Sequence, residues 1–108
     1  MRWTRYHVEL ALANRANLAG LILANAELTG AIMPEADLTW INLKGADLSG
    51  VDLAWADLTC ADLAGANLTG ADLAFADLYG SSLYGAHYSA STKWPDGFDP
   101  VSAGAVLA

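Results

Sequence analysis

The chain has 108 residues, 55% of them apolar, and a formal net charge of −7 at pH 7. This length fits one small domain, and the negative charge argues against direct binding of DNA or RNA. The single cysteine, Cys60, excludes an internal disulfide and a multi-cysteine zinc site.

Residues 1–15 precede the regular part of the sequence. They combine aromatic and apolar residues, such as Trp3, Tyr6 and Val8, with three arginines. The five-residue pattern that follows extends back through them only in degenerate form, so they are predicted to be an N-terminal cap or a degenerate first coil. No targeting segment and no apolar stretch of membrane-spanning length is visible, which predicts a cytoplasmic protein that does not bind membranes.

A five-residue period runs without interruption through residues 16–90. In its fifteen units the third residue is Leu thirteen times, and the first is Ala eleven times. The second residue is Asp or Asn in ten units and the fifth is Gly in eight. This composition suits turns, because Asp and Asn side chains bond nearby backbone and Gly tolerates positive φ. Each unit is therefore predicted to end in a corner.

A period of five fits neither an α-helix, with about 3.6 residues per turn, nor a strand, in which successive leucines would face opposite sides. If each unit makes one side and one corner, four units close a square coil and residues twenty apart stack. The predicted core then consists of four ladders: Leu18, Leu38, Leu58 and Leu78; Leu23, Leu43, Leu63 and Leu83; Leu28, Leu48, Leu68 and Tyr88; and Met33, Leu53 and Leu73.

The units Ala46–Gly50 and Ala66–Gly70 match the motif A-[D/N]-L-x-x in full. In these repeats the chain resembles the pentapeptide-repeat family. The resemblance implies an all-β fold, a right-handed quadrilateral β-helix of about four coils over residues 16–90, with a cap at each end. Two early units carry Ile22 and Ile32 where the motif has Asp or Asn, and we expect them to be looser or covered by the N-terminal segment.

Residues 91–108 leave the period. Two prolines, Pro95 and Pro100, and two aromatic residues, Trp94 and Phe98, predict a closing segment, which resembles that of many bacterial family members. The last six residues are almost all apolar. They are expected either to fold onto the open end of the solenoid or to bind a second copy of the chain, giving a homodimer.

Catalysis is not indicated. The sequence lacks a phosphate-binding Gly-rich loop, a nucleophile elbow and a zinc-protease motif. Asp37, Asp57 and Asp77 would stack about 4.8 Å apart, close to the carboxylate separation of retaining glycosidases, but their turn positions on a convex surface favour a structural role. The two histidines, His7 and His87, lie far apart. We expect no enzymatic activity, no cofactor and no metal.

Bulky residues occupy several positions where side chains should point outward. Trp40, Trp55 and Phe75 replace Gly at corners, and Tyr79 lies on the same face, built on Leu38, Leu58 and Leu78. Tyr84 extends this set around the next corner. One hypothesis is that these residues form a protein-docking face, since large rigid side chains give contact area at low entropic cost. The alternative is that they shield the backbone or pack on a cap.

The sequence thus favours a non-enzymatic scaffold or adaptor that binds an unidentified protein. A second hypothesis is an acidic rod that mimics DNA and binds a type II topoisomerase, as the resemblance to the family suggests. Four coils would give a rod of only about 20 Å, which equals about six base pairs, and this length argues against the mimic. A third hypothesis is a structural component that assembles through its ends.

Overall fold

The computed structural model describes residues 3–13 and 17–108. It contains one helix, α1 (Arg5–Ala13), and two short strands, β1 (His87–Tyr88) and β2 (Val106–Leu107), within those ranges. No helix in the described ranges has the length and hydropathy needed to cross a bilayer. The predicted boundary between residues 15 and 16 lies outside the described residues.

After α1 the chain forms a solenoid held by parallel bridges between residues twenty positions apart, except that Asp72 and Lys93 are twenty-one apart. Ile22 pairs with Asn42, which pairs with Asp62, which in turn pairs with Ser82. Four such columns run along the molecule, so each coil of twenty residues has four sides. The columns define a first face (Asp37, Asp57, Asp77), a second (Ile22, Asn42, Asp62, Ser82), a third (Glu27, Asp47, Asn67, His87) and a fourth (Ile32, Asp52, Asp72, Lys93).

The corners are tight turns with a fixed backbone geometry. In the turn that begins at Leu18, for example, Leu21 N–H donates to the Leu18 carbonyl at 3.1 Å, and Gly20 between them has a φ of 72°. A positive φ at the third residue defines a type II turn, in which Gly is preferred. The same sign of φ recurs at every fifth residue through Gly85. Six of these corners carry a side chain, at Asn25, Glu35, Trp40, Trp55, Cys60 and Phe75.

The second residue of most units holds the turn in place through its side chain. Asp57 Oδ1 accepts hydrogen bonds from Thr59 N–H at 3.0 Å and from Thr59 Oγ1 at 2.6 Å. An Asn side chain makes the same bond to the backbone, since Asn42 Oδ1 accepts a hydrogen bond from Lys44 N–H at 3.0 Å. This local bond explains why Asp and Asn alternate freely at the second place.

The core is a shaft of stacked leucines. The third residue of each unit points inward, and the first, usually Ala, leaves room for it. Burying one leucine contributes roughly 1.5–3 kcal/mol before the entropic cost. The leucines of the four ladders are buried: Leu18, Leu23, Leu28, Leu38, Leu43, Leu48, Leu53, Leu58, Leu63, Leu68, Leu73, Leu78 and Leu83.

Arg5–Ala13 form α1 instead of extending the five-residue register, so the N-terminal segment departs from the all-β expectation. Its Val8 is fully buried in the core. Glu9 Oε2 accepts a hydrogen bond from Ile32 N–H at 2.8 Å, and Arg5 Nε lies 3.1 Å from the same oxygen. In later coils this N–H donates to a carbonyl of the preceding coil, as Asp52 N–H does to Ala31. The Glu9 carboxylate therefore replaces the backbone of a missing coil.

The C-terminal segment closes part of the other end. β2 pairs with β1 in parallel, with His87 opposite Val106 and Tyr88 opposite Leu107. Upstream, the Trp94 ring stacks on Phe98 with a centroid distance of 5.1 Å. The apolar tail thus folds onto the end of the solenoid, although both residues of β2 keep exposed side chains.

The turn carboxylates make stability depend on pH. The Ser49 hydroxyl holds the pKa of Asp47 below its usual range, and the Thr59 hydroxyl does the same for Asp57. Because the folded state lowers these pKa values, their stabilisation is complete above the unfolded value of about 3.9 and is lost as the pH falls through the folded values. We expect the free energy of unfolding, measured by urea denaturation, to fall as the pH is lowered from about 5 to about 2.

The matched variant for this prediction is Asp47→Asn, Asp57→Asn, because Asn already serves in the same turn at position 42. Its stability should depend less on pH. Thr59→Val should raise the pKa of Asp57 in an NMR titration. A pH profile identical in the double variant and the native chain would contradict the role given to these two carboxylates.

Candidate functional site

Three aromatic side chains project from the corners that border the first face. Trp40 is 71% exposed, Trp55 61% and Phe75 62%. Neither terminal segment covers them, so the possibility that they are buried beneath a cap does not apply to the described structure. Trp55 and Phe75 share one edge of the face, and Trp40 lies on the opposite edge.

Trp55 and Phe75 form a continuous aromatic stripe. Their ring centroids are 4.4 Å apart and their planes differ by 13°. They stack because they occupy the same corner in successive coils, which lie about 4.8 Å apart. No ring contact involves Trp40 within the described residues, so it stands alone across the face.

The aromatic corners hold an unfavourable backbone conformation. Trp40, Trp55 and Phe75 have φ values of 61°, 65° and 61°. A residue with a Cβ in this region costs about 1–2 kcal/mol relative to Gly, which most other corners use. Since the three side chains are mostly exposed, burial does not offset this cost. Stacking returns part of the cost at Trp55 and Phe75. At Trp40 no ring contact within the described residues returns it, and strain retained with little packing gain is a feature of functional positions.

The two tyrosines of the proposed docking face lie in different places. Tyr79 is 80% exposed and belongs to the first face. Tyr84 is also exposed but lies on the second face, where the backbone of Gly104 in the C-terminal segment approaches it closely. The structure therefore groups Trp40, Trp55, Phe75 and Tyr79 on one face and separates Tyr84 from them by a corner.

The first face is also the most acidic. Among the described columns it alone has Asp at every bridged position, whereas the second face has Lys44 beside its column and the fourth face ends in Lys93. Asp57, in the middle, has a pKa lowered by the Thr59 hydroxyl and amide and is ionised at neutral pH. We call the surface formed by Trp40, Trp55, Asp57, Phe75, Asp77 and Tyr79 the aromatic-acidic face.

A cleft of about 450 Å³ continues this face at its C-terminal end. One wall is the last coil, Ala76–Tyr79, and the other is the turn Pro95–Phe98. Reasoning from the sequence alone missed the cleft. A signal was present, because an unbroken period would place residue 97 in the column of Asp77, and the prolines around it cannot continue a regular coil.

The two histidines lie in different parts of the fold. His7 Nδ1 accepts a hydrogen bond from Thr4 N–H at 3.1 Å, and His87 belongs to β1. In the part of the chain that the structure describes, no group of three or more His, Cys, Asp or Glu side chains could hold a metal ion.

A family model for pentapeptide repeats matches residues 14–50 and 46–85 with eight copies. The chain belongs to the pentapeptide-repeat family. The resemblance seen in the repeat motif is thereby confirmed, and membership implies that the four-sided coil is a right-handed quadrilateral β-helix. No curated protein matches the chain.

Solved structures of pentapeptide-repeat proteins are similar in fold. The crystal structure of alr5209 from Nostoc Pcc 7120 has 37% sequence identity and a TM-score of 0.67, with 94% of this chain and 92% of that chain covered. AT2G44920, from the Arabidopsis thaliana thylakoid lumen, has 29% identity and a TM-score of 0.66. The match covers 82% of this chain and 59% of the Arabidopsis chain.

The strain at the aromatic corners can be measured. Trp40→Gly should raise the free energy of unfolding by about 1 kcal/mol, because Gly adopts positive φ freely and the exposed ring contributes little packing. The melting temperature should rise by several degrees, which thermal denaturation would detect.

The matched control is Gly50→Ala. Its φ is 65° and a Cβ there meets no atom within 4 Å, so it should lose about 1 kcal/mol through backbone strain alone. A Trp40→Gly variant less stable than the native pentapeptide-repeat chain would show that the ring stabilises the fold and is not retained for binding.

Proposed function

We propose that this pentapeptide-repeat protein is a non-enzymatic interaction module that docks a protein partner on its aromatic-acidic face. The observation that carries the proposal is the exposure of Trp40, Trp55 and Phe75 at strained corners. Members of the family are generally non-enzymatic scaffolds, which supports the same conclusion.

The rigidity of the solenoid supports docking. Backbone bonds join each coil to the next on the aromatic-acidic face, as from Trp40 N–H to Thr59 at 3.0 Å and from Cys60 N–H to Tyr79 at 2.9 Å. The backbone that carries the aromatic side chains is therefore fixed before a partner arrives, and binding loses little further backbone entropy. Tryptophan and tyrosine are also the residues that most often dominate binding energy at protein interfaces.

The distribution of charge favours a docking module over a DNA mimic. Duplex DNA carries charge on all sides, one unit per about 1.7 Å of axis. Here acids occur in every column, but Lys44 and Lys93 interrupt the second and fourth faces, so only the first face has an acid at every bridged position. The molecule measures 35 × 22 × 21 Å, longer than the stack of four coils because the terminal segments add to it. Even 35 Å equals only about ten base pairs.

Affinity capture from the source organism tests the proposal. The double variant Trp40→Gly, Trp55→Gly removes two aromatic side chains, and Gly adopts the positive φ of these corners without strain. The control is Ile22→Asn, Ile32→Asn, which removes exposed apolar side chains from the second and fourth faces and restores the family motif. Thermal denaturation establishes that each bait is folded.

We expect the native chain and the isoleucine control to retain a protein that the tryptophan variant loses. Retention by the tryptophan variant at the native level would contradict the proposed face. Recovery of a type II topoisomerase would favour the DNA mimic.

Assembly through the ends is a second candidate, favoured by the exposure of Val106 and Leu107 in β2. Light scattering would then show a native dimer and a monomeric Val106→Thr, Leu107→Thr variant. A native monomer at all concentrations would eliminate this candidate.

A further inference from the structure

The last coil leaves part of its backbone unpaired on the first face. One coil earlier, Leu58 N–H donates to the Asp77 carbonyl at 2.8 Å. The equivalent groups of the last coil, Leu78 N–H and Gly80 N–H, have no backbone acceptor within residues 3–13 and 17–108. This part of the solenoid therefore ends in an open strand edge.

Other parts of the same end are covered. β2 pairs with β1 on the third face, and Lys93 pairs with Asp72 on the fourth. At the corner before the third face, Gly85 N–H donates to the Gly104 carbonyl at 2.9 Å. The open edge is thus confined to the first face and the adjoining second face.

The open edge results from the path of the C-terminal segment. Continued from the bridge between Asp72 and Lys93, a further coil would place Phe98 over Asp77, but the chain turns at that point, and Phe98 N–H donates to the Pro95 carbonyl at 3.1 Å. Phe98 packs against the core, and the rest of the turn leaves the cleft of about 450 Å³ beside the last coil. The cleft therefore occupies the place that the next strand of the solenoid would fill.

The walls of the cleft have a consistent chemistry. Two carboxylates, Asp77 and Asp96, and two aromatic rings, Tyr79 and Phe98, line it. No Lys or Arg is among its lining residues. Carboxylates pair with ammonium and guanidinium groups, and aromatic faces attract the same cations.

We propose that this cleft binds an extended, basic segment of the partner protein, which adds one strand to the open edge. The partner's main chain bonds Leu78 N–H and Gly80 N–H, as in other cases of strand addition. Its Lys or Arg side chains reach Asp77 and Asp96. This inference rests on the proposed docking function and names the chemistry of the partner.

The negative charge of the cleft favours a basic segment over other occupants. A second copy of the chain docked through the same cleft would bring its own Asp77 and Asp96 to the edge and be repelled. Nucleic acid and acidic peptides would be repelled for the same reason. A basic segment instead relieves the repulsion among the stacked carboxylates of the first face.

Fluorescence anisotropy with labelled synthetic peptides tests the proposal. The probe is a short peptide in which arginine alternates with threonine, and its match has glutamine in place of arginine. We expect the full-length protein to bind the arginine peptide at low salt, with affinity that falls as salt is added, and not to bind the glutamine peptide. Equal binding of both peptides would overturn the role of charge.

Two double variants with the same change in net charge locate the site. Asp77→Asn, Asp96→Asn should weaken binding about tenfold, whereas Asp52→Asn, Asp72→Asn on the fourth face should change it less than about twofold. The corner turns at positions 52, 72 and 77 survive, because Asn already serves at the second place of a repeat unit. Equal weakening by both variants would show non-specific attraction and overturn the proposal.

Amide hydrogen exchange separates strand addition from simple charge pairing. Bound peptide should slow exchange at Leu78 and Gly80, while Leu58, already bonded, should not change. Unchanged exchange at Leu78 and Gly80 with saturating peptide would overturn strand addition. Absence of peptide binding, together with capture that depends on Trp40 and Trp55, would overturn the basic segment and leave the docking function standing.

Discussion

Each side of the coil offers room for one bridged residue before the chain must turn, and the rest of the structure depends on this restriction. A side this short is not stable alone, so hydrogen bonds to the neighbouring coil must repeat along the solenoid. One example is the bond from Leu48 N–H to the Asn67 carbonyl, at 2.8 Å. The positive φ at each corner keeps the coils in register. The inward leucines and outward aspartates follow from that register.

The same restriction shapes the surface. Because the corner conformation is imposed by the coil, a side chain placed there projects into solvent. Glycine adopts the positive φ of the corner without strain. Trp55 and Phe75 adopt it at an energetic cost, which the surrounding hydrogen bonds of the coil offset. The fold therefore permits an exposed aromatic stripe beside the stacked carboxylates but does not require one.

The two ends of the solenoid need interactions that the repeating coils do not supply. A stack of repeating coils needs a cap at each end, since its last coil leaves backbone groups and core exposed. At the N-terminal end Val8 covers the core, and the Glu9 carboxylate replaces a missing carbonyl. At the C-terminal end β2 closes one side, but the turn Pro95–Phe98 leaves a cleft beside another. A binding cleft can form where closure is incomplete.

The sequence by itself determined the period, the four ladders and the corner at every fifth residue, because these depend only on spacing and on local turn chemistry. It also indicated which corners are aromatic, although it left open whether Trp40 and Trp55 are covered. Only the tertiary structure decided their exposure, the helical form of α1 and the cleft beside Tyr79. These features arise where non-repeating segments pack against the ends of the solenoid, and spacing along the chain carries no information about that packing.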